Sequence, residues 1–342
     1  METKIYQKEQ INEAAAQLKA GHLVAFPTET VFGLGAMATN EAAVSSVFTT
    51  KGRPQDNPLI VHVSSIEQVA EYVAEVPEIA AQLMKQFWPG PLTIIFPQKP
   101  GVLAPSVTPG QETVAVRMPD NPEALALIKA TGIPLVGPSA NKSGKPSPTA
   151  VEHVYHDFQG EIAGIVEPSE KLLAVGVEST VVLPRAGVIN ILRPGAITKE
   201  DLRALGYQVE EKTAEEQLKD TSVLSPGVKY THYSPKQPVH VLISDDSQQF
   251  LQYIQDLEQP VALLADESVL QVLSNDSQIV ATHSYGAKGD LVSATQQLYA
   301  GLRALEQTSA QVIVAQGFPD SPASHAMMNR LRKAADLTQT FL

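Results

Sequence analysis

Short apolar runs that stop at a proline, a glycine or a charge alternate with helix-forming stretches along almost the whole chain, and this alternation narrows the fold more than any other feature. Such a chain buries its apolar surface by laying helices against a sheet, so an α/β architecture is expected. Leu23 to Phe26 reads as a strand halted by Pro27, and Pro58 to Val63, Leu92 to Phe96, Thr113 to Arg117 and Pro134 to Gly137 read the same way. Between them, residues 9–20 are rich in helix formers with Gly21 as their stop, and Asn40 caps a helix running to about Thr49. Ser65 with Gln68 forms a capping box, and Asn121-Pro122 opens a further helix. Strands near Ile162 to Val166, Thr180 to Leu183 and Val188 to Leu192 then follow closely, which predicts a mixed, twisted sheet rather than a simple doubly wound one. Beyond them Val239 to Ile243, Val261 to Ala265, Gln278 to Thr282 and Val312 to Ala315 alternate with helical patterns that end in a helix from Ala323 to Asp336. That second series predicts a parallel sheet.

A chain of 342 residues has room for about two domains. The expected division is a mixed α/β domain over residues 1–206, a connector over 207–236 and a smaller Rossmann-like domain over 237–342. The connector ends in SPGVKYTHYSPK, whose two tyrosines set it apart from a Gly/Ser-rich or uniformly charged linker; it is expected to pack, either on its own domain or over a site. The 37 acidic residues outnumber the 25 basic ones, for a net charge of -12. Coating nucleic acid is therefore disfavoured, and any anion site has to be built from a few focused cations. The absence of cysteine excludes disulfides, thiolate zinc sites, iron–sulfur clusters and thiol nucleophiles. The opening METKIYQKEQ is polar, and no apolar run approaches the ~18 residues of a membrane span, so a soluble cytoplasmic protein is expected.

Chemistry-bearing residues crowd the loops of the first part. In Lys51-Gly52-Arg53-Pro54, two cations two residues apart flank a glycine. In an extended loop their side chains point the same way and suit a polyphosphate, with Arg53 as a fork, Lys51 as a point charge and Asn57 as a further donor; the competing reading is a solvated loop. Ser139 and Asn141 repeat the spacing in Gly137-Pro138-Ser139-Ala140-Asn141, at the carboxyl end of a strand, where ligands of α/β sheets commonly bind. The same stretch reads equally as a Pro/Ser turn, with Thr149 as the cap of the following helix. Pro27 to Ala36 carries Thr28, Glu29 and Thr30, then Gly33-Leu34-Gly35-Ala36-Met37-Ala38, which fits a dinucleotide fingerprint with Asp56 as its acid. That fit is poor, because Pro27 to Phe32 separate the glycines from the strand end. Arg117 and Arg193 each end a strand, as carboxylate grips or surface residues. His62 is a core imidazole or a pocket donor. His153 and His156 have a metal-compatible spacing, but no cysteine or HExxH-type glutamate accompanies them, so a solvated helix face is the simpler reading and no metal site is expected.

PTETVFGLG, KGRPQDNPLIVHV, FWPGPLT, TVAVRMP, GPSANKSGKPSPT, VGVEST and ILRPG occur in this order, and the series resembles the YrdC/Sua5 family. SPGVKYTHYSP and FPDSPASHAMMNRLRKAA resemble its long, two-domain Sua5 type, so the likeness covers almost the whole chain. The resemblance implies an L-threonylcarbamoyladenylate synthase, a nucleotidyltransferase joining L-threonine, bicarbonate or CO2, and ATP with release of pyrophosphate. Its product serves N6-threonylcarbamoyladenosine formation at position 37 of certain tRNAs through a downstream transferase. By the same resemblance Lys51, Arg53, Asn57, Thr113, Ser139, Asn141, Ser147, Arg193 and Tyr230 bind ATP, with Lys51 and Arg53 carrying the catalysis. Thr30, His62, Arg117, Gly137 and Ser179 bind threonine. Tyr230 folds over the nucleotide as part of a lid, and Mg²⁺ comes in on the phosphates. Phe32 stands where the family usually has tyrosine. The alternative is an RNA-binding module of the YrdC type without nucleotidyl transfer.

Overall fold

Alternation along each strand decides which side chains meet the helices and which line the opposite face, and this places the site. The computed structural model describes residues 2–169, 175–213, 216, 233–273 and 276–340. The chain divides into two units: residues 1–143, 148–174 and 178–230, and residues 144–147, 175–177 and 231–342.

Among the described residues the first unit carries eleven strands: β1 (Lys4–Tyr6), β2 (Val24–Phe26), β3 (Gly33–Met37), β4 (Ile60–His62), β5 (Leu92–Pro97), β6 (Thr113–Arg117), β7 (Leu135–Val136), β8 (Gly164–Val166), β9 (Thr180–Arg185), β10 (Val188–Arg193) and β11 (Gln208–Glu211). They form one sheet in the order β1-β8-β2-β3-β7-β4-β6-β5-β9-β10-β11. The sheet is mixed as expected: β4 and β6 are parallel, while β5–β6, β9–β10 and β2–β3 are antiparallel. On one face Val61, Ile94, Val114, Val116 and Val182 pack with Val44, Val47 and Phe48 of the helix Glu41–Lys51, Leu83 of Glu78–Phe87 and Val154 of Val151–Phe158. On the other, Val24, Phe26 and Leu135 are covered by the helices Ile11–Lys19 and Pro122–Thr131. Further along that second face lies a thin apolar layer made of strand residues alone: Ile60, Ile95, Ala115, Val181, Leu183 and Leu192.

Two of the caps behave as the sequence indicates, but Ser65 and Gln68 do not form the expected capping box: the helix Val69–Tyr72 begins after Gln68, whose Oε1 accepts the Ser64 amide. Asn40 accepts the amide of Ala43, and Asn121 accepts that of Ala124 ahead of Pro122. Thr149, expected to cap the next helix, does not. The N-cap is Ala150, and the imidazole Nδ1 of His153, one turn in, accepts the Thr149 amide. Gly33–Met37, fitted above to a dinucleotide fingerprint, is a strand antiparallel to β2 and not a strand-to-helix turn. Its glycines make room for Phe26: a Cβ on Gly33 would stand 2.8 Å from the Phe26 ring, and one on Gly35 2.7 Å from the Val24 carbonyl. Gln208–Glu211, inside the span read as connector, is a strand parallel to β10.

The second unit carries β12 (Val239–Ile243), β13 (Val261–Ala265), β14 (Ile279–Ser284), β15 (Val312–Gly317) and β16 (Leu337–Thr340), all parallel, in the order β14-β13-β15-β12-β16. Among the described residues no helix is long and apolar enough to cross a membrane.

Candidate active site

Two parallel strands set the centre of the site. In the register of β4 and β6, Ile60 is opposite Ala115 and His62 opposite Arg117, so one face presents a pair of apolar residues and then an imidazole beside a guanidinium. Both polar side chains are buried. Arg117 donates to two elements, Nε to the Gly90 carbonyl at 3.2 Å and Nη1 to the Thr30 hydroxyl at 2.9 Å, while Nη2 makes an ion pair with Glu29, 2.7 Å from its Oε1, without a hydrogen bond. The proline-rich FWPGP turn thus supplies a carbonyl that orients the guanidinium. Gly90 has no room for a Cβ, which would meet the Phe87 carbonyl at 2.4 Å.

The Pro27–Phe32 loop is buried almost throughout. Thr28 shapes it: its hydroxyl donates to the Val31 carbonyl at 2.6 Å, accepts the amides of Thr30 and Val31, and lies 2.7 Å from the Thr30 hydroxyl. This turn holds the Glu29 carboxylate at 3% exposure against Arg117. His62 stacks edge-on against Phe26, its pKa pushed down to about 3, first by burial and second by the Arg117 charge, so it is neutral at physiological pH. Its Nδ1 has no hydrogen-bond partner. Gly137 sits against this pair, where a Cβ would come within 2.8 Å of the imidazole.

Just ahead of β9, Ser179 shares a 2.8 Å hydrogen bond with Thr93 of β5, and Arg193 donates to both the hydroxyl and the carbonyl of Ser179, at 3.1 and 3.0 Å. Arg193 and Ser179 come from the two groups implied by the resemblance, ATP and threonine, yet they form one network. Thr113 begins β6 on the same face as Arg117, at its other end. A cavity of about 450 Å³ opens there, lined by Ile95, Thr113, Leu183 and Arg185 among others.

The cation pair differs from its sequence reading. Lys51 and Arg53 do not lie in an extended loop: Lys51 is the last residue of a helix, and Gly52, left-handed at φ 63°, caps it. The cap sends the two side chains to different tasks. Lys51 is 3% exposed and donates to the carbonyls of Ser139 and Asn141, pinning the Ser-x-Asn loop from beneath. Arg53 is half-buried and folds back to the Pro58 and Asn57 carbonyls, at 3.1 and 3.4 Å. Asn57 is itself buried, with its amide Nδ2 unbonded. Lys51, Arg53, Asn57, Ser139 and Asn141 are thus gathered by one loop system, which Gly137 ties to β4 through its amide on the Ile60 carbonyl. Ser147 is buried in the segment Gly144–Ser147 of the second unit. Tyr230 and most of the expected lid lie outside the described residues. His153 accepts the Thr149 amide as above, and His156 pairs with Asp157; among the described residues no group of three or more His, Asp or Glu could hold a metal ion.

Residues 16–195 match the Sua5/YciO/YrdC family model, described as "Telomere recombination", and residues 197–336 match the model of the threonylcarbamoyl-AMP synthase C-terminal domain. The chain belongs to the Sua5 family. It is 46% identical over 332 residues to the threonylcarbamoyl-AMP synthase of Bacillus subtilis, covering 95% of this chain and 93% of that protein. It is 39% identical to that of Pyrococcus abyssi, over 95% and 94%. The crystal structure of P. abyssi Sua5 complexed with L-threonine superposes with a TM-score of 0.89 at 36% identity, covering 99% of this chain and 100% of that one. In this Sua5 chain, sequence reasoning assigns no role to Glu29, Thr28 or Thr93. A carboxylate between two threonines after a short strand reads as a turn, and only its burial marks it as more.

Proposed function

We propose that the chain is an L-threonylcarbamoyl-AMP synthase that makes its product by nucleotidyl transfer. The observation that carries this reading is the hydrogen bonding of Arg193 to Ser179: it joins residues suited to an anion and residues suited to an amino acid into one network on one sheet face. The likeness to curated synthases over nearly the whole chain supports the same conclusion.

Threonine lies with its carboxylate on Arg117 and its hydroxyl and amine among Thr30, His62 and Ser179, under the Gly137 backbone. Its amine, once it has lost the ammonium proton, takes up CO2 with release of a second proton to solvent, or the carbon of bicarbonate with loss of water, to give a carbamate. A carbamate oxygen then attacks the α-phosphorus of ATP, the bond to the β-phosphate oxygen breaks, and pyrophosphate leaves. No covalent enzyme intermediate is needed, and the chain's contribution is positioning and charge neutralisation. Arg53, Asn57 and Arg193 supply donors to the phosphates, with Ser139, Asn141 and Ser147 around them. Lys51 acts through the loop carbonyls that it holds. Thr113 and the apolar layer around Ala115 seat the nucleoside. Mg²⁺ enters as part of the substrate, on phosphate and water oxygens. Such a carbamate is labile in water, which suits residues as buried as His62 and Arg117. A cytoplasmic location, with a downstream transferase consuming the product, completes the reading.

The test is incubation with ATP, Mg²⁺, bicarbonate and single amino acids, with pyrophosphate as the readout. Release is expected to require threonine. Threonine-independent release, or none, overturns the proposal.

A further inference from the structure

Glu29 is the least accounted-for charge in the site. Its carboxylate is 3% exposed, and neither oxygen takes part in a hydrogen bond, although Oε1 lies 2.7 Å from Arg117 Nη2. A carboxylate can accept about four hydrogen bonds, and a buried one that accepts none is costly unless something else meets it. The turn itself does not require a charge at this point, since Thr28 closes it through its hydroxyl; the charge answers only to the buried Arg117. A short ion pair also leaves Arg117 only part of its fork for a second anion. Yet the pair stands beside Thr30, whose hydroxyl touches both Thr28 and Arg117, and beside the unpartnered Nδ1 of His62.

An α-amino acid carries a positive and a negative group on adjacent atoms. The Glu29–Arg117 pair carries the opposite signs at a similar separation. We propose that Glu29 joins Thr30, His62 and Ser179 as the charged partner of the amine, so that the pair as a whole recognises an α-amino-acid zwitterion, ammonium on Glu29 and carboxylate on Arg117, and the ammonium gives up one proton before the carbamate forms. This rests on the synthase reading and deepens it. The carboxylate sets the direction of the amine, and hence the position at which the carbamate forms, and it makes the site reject hydroxy acids that lack the amine. A site built to bond a substrate N–H discriminates strongly against the analogue without it, because its own polar group is then left buried and unmet.

Removing the amine from the ligand tests this. Binding of L-threonine, of 3-hydroxybutanoate (threonine with hydrogen in place of the amine) and of ATP is measured on the wild type and on Glu29→Gln. The wild type is expected to prefer threonine by about 100-fold or more, and Glu29→Gln to lose most of that preference while binding ATP within about threefold of normal. If Glu29 only props Arg117, both acids weaken by the same factor and the preference survives, which overturns the inference. Glu29→Asp keeps the charge but draws it back by one methylene. Should Glu29→Gln not fold, a reduced preference in Glu29→Asp supports the inference and an unchanged one overturns it. A wild type that binds no threonine fails the synthase reading itself, and the inference falls with it; a preserved preference in the variant fails the inference alone.

Discussion

At the scale of single residues, charge and volume are both tightly set around His62. Its folded pKa of about 3 lies far below the value of ~6.5 it takes in an unfolded chain. Between those values the unfolded chain binds the extra proton, so stability is full above ~6.5 and drains away as pH falls. From pH 7 to pH 5 this one group is expected to cost about 2 kcal/mol, and His62→Gln to remove that share of the slope. Urea unfolding at the two pH values measures it; equal slopes in the two proteins would show that the imidazole is not held neutral. Volume is as constrained. The Cβ of Gly137→Ala would stand 2.7 Å from the Phe26 ring and 2.8 Å from the imidazole, so it is expected to destabilise by about 1–3 kcal/mol and to weaken threonine binding more than ATP binding. Arg53→Ala, in contrast, leaves the core intact and removes a cation from the side of the site proposed to hold the phosphates. Pyrophosphate release is expected to fall at least ~100-fold, the scale of one lost electrostatic stabiliser, with the melting temperature little changed.

At the scale of elements, the end of the helix Glu41–Lys51 decides where both cations go. Gly52 is left-handed, and a Cβ placed there would have no neighbour within 4 Å, so Gly52→Ala meets no clash and tests backbone strain alone. A cost of about 1 kcal/mol is expected, together with a higher KM for ATP, because the cap aims Lys51 at the Ser-x-Asn loop and returns Arg53 towards Asn57. An unchanged KM beside a lowered melting temperature would separate the cap from the site. The same helix shows what is legible in the sequence. Its start is plain in Asn40, and β4, β6 and β12 are plain as apolar runs, because burial of a strand writes itself into residue type. The course of Lys51 is not plain, since K-G-R reads as an extended loop until the glycine is known to be a cap. Nor is β3, whose glycines answer to Phe26 across the sheet, or the edge strand Leu337–Thr340, which is exposed along its length and so carries no apolar pattern. The site residues on strand ends can be singled out one by one, but their grouping depends on a strand order, β7-β4-β6-β5-β9, that local sequence does not encode.

At the scale of the whole molecule, the net charge of -12 sets the long-range field, and it opposes a polyanion at every approach outside the few focused cations of the first unit. Those cations are committed at short range: Lys51 to loop carbonyls, Arg117 to Glu29 and Thr30, Arg193 to Ser179. A triphosphate is small enough to enter such a site and gain from each donor in turn. An RNA duplex is not, because its affinity grows with the number of phosphates neutralised along a surface. The synthase and the RNA-binding module therefore part company in a titration. With tRNA at physiological salt, a Kd weaker than ~0.1 mM is expected, at the weak end of non-specific binding, while ATP binding saturates far below that concentration. Micromolar tRNA binding that weakens steeply with added salt would favour the RNA-binding reading and would require a basic surface that the charge balance of this chain argues against.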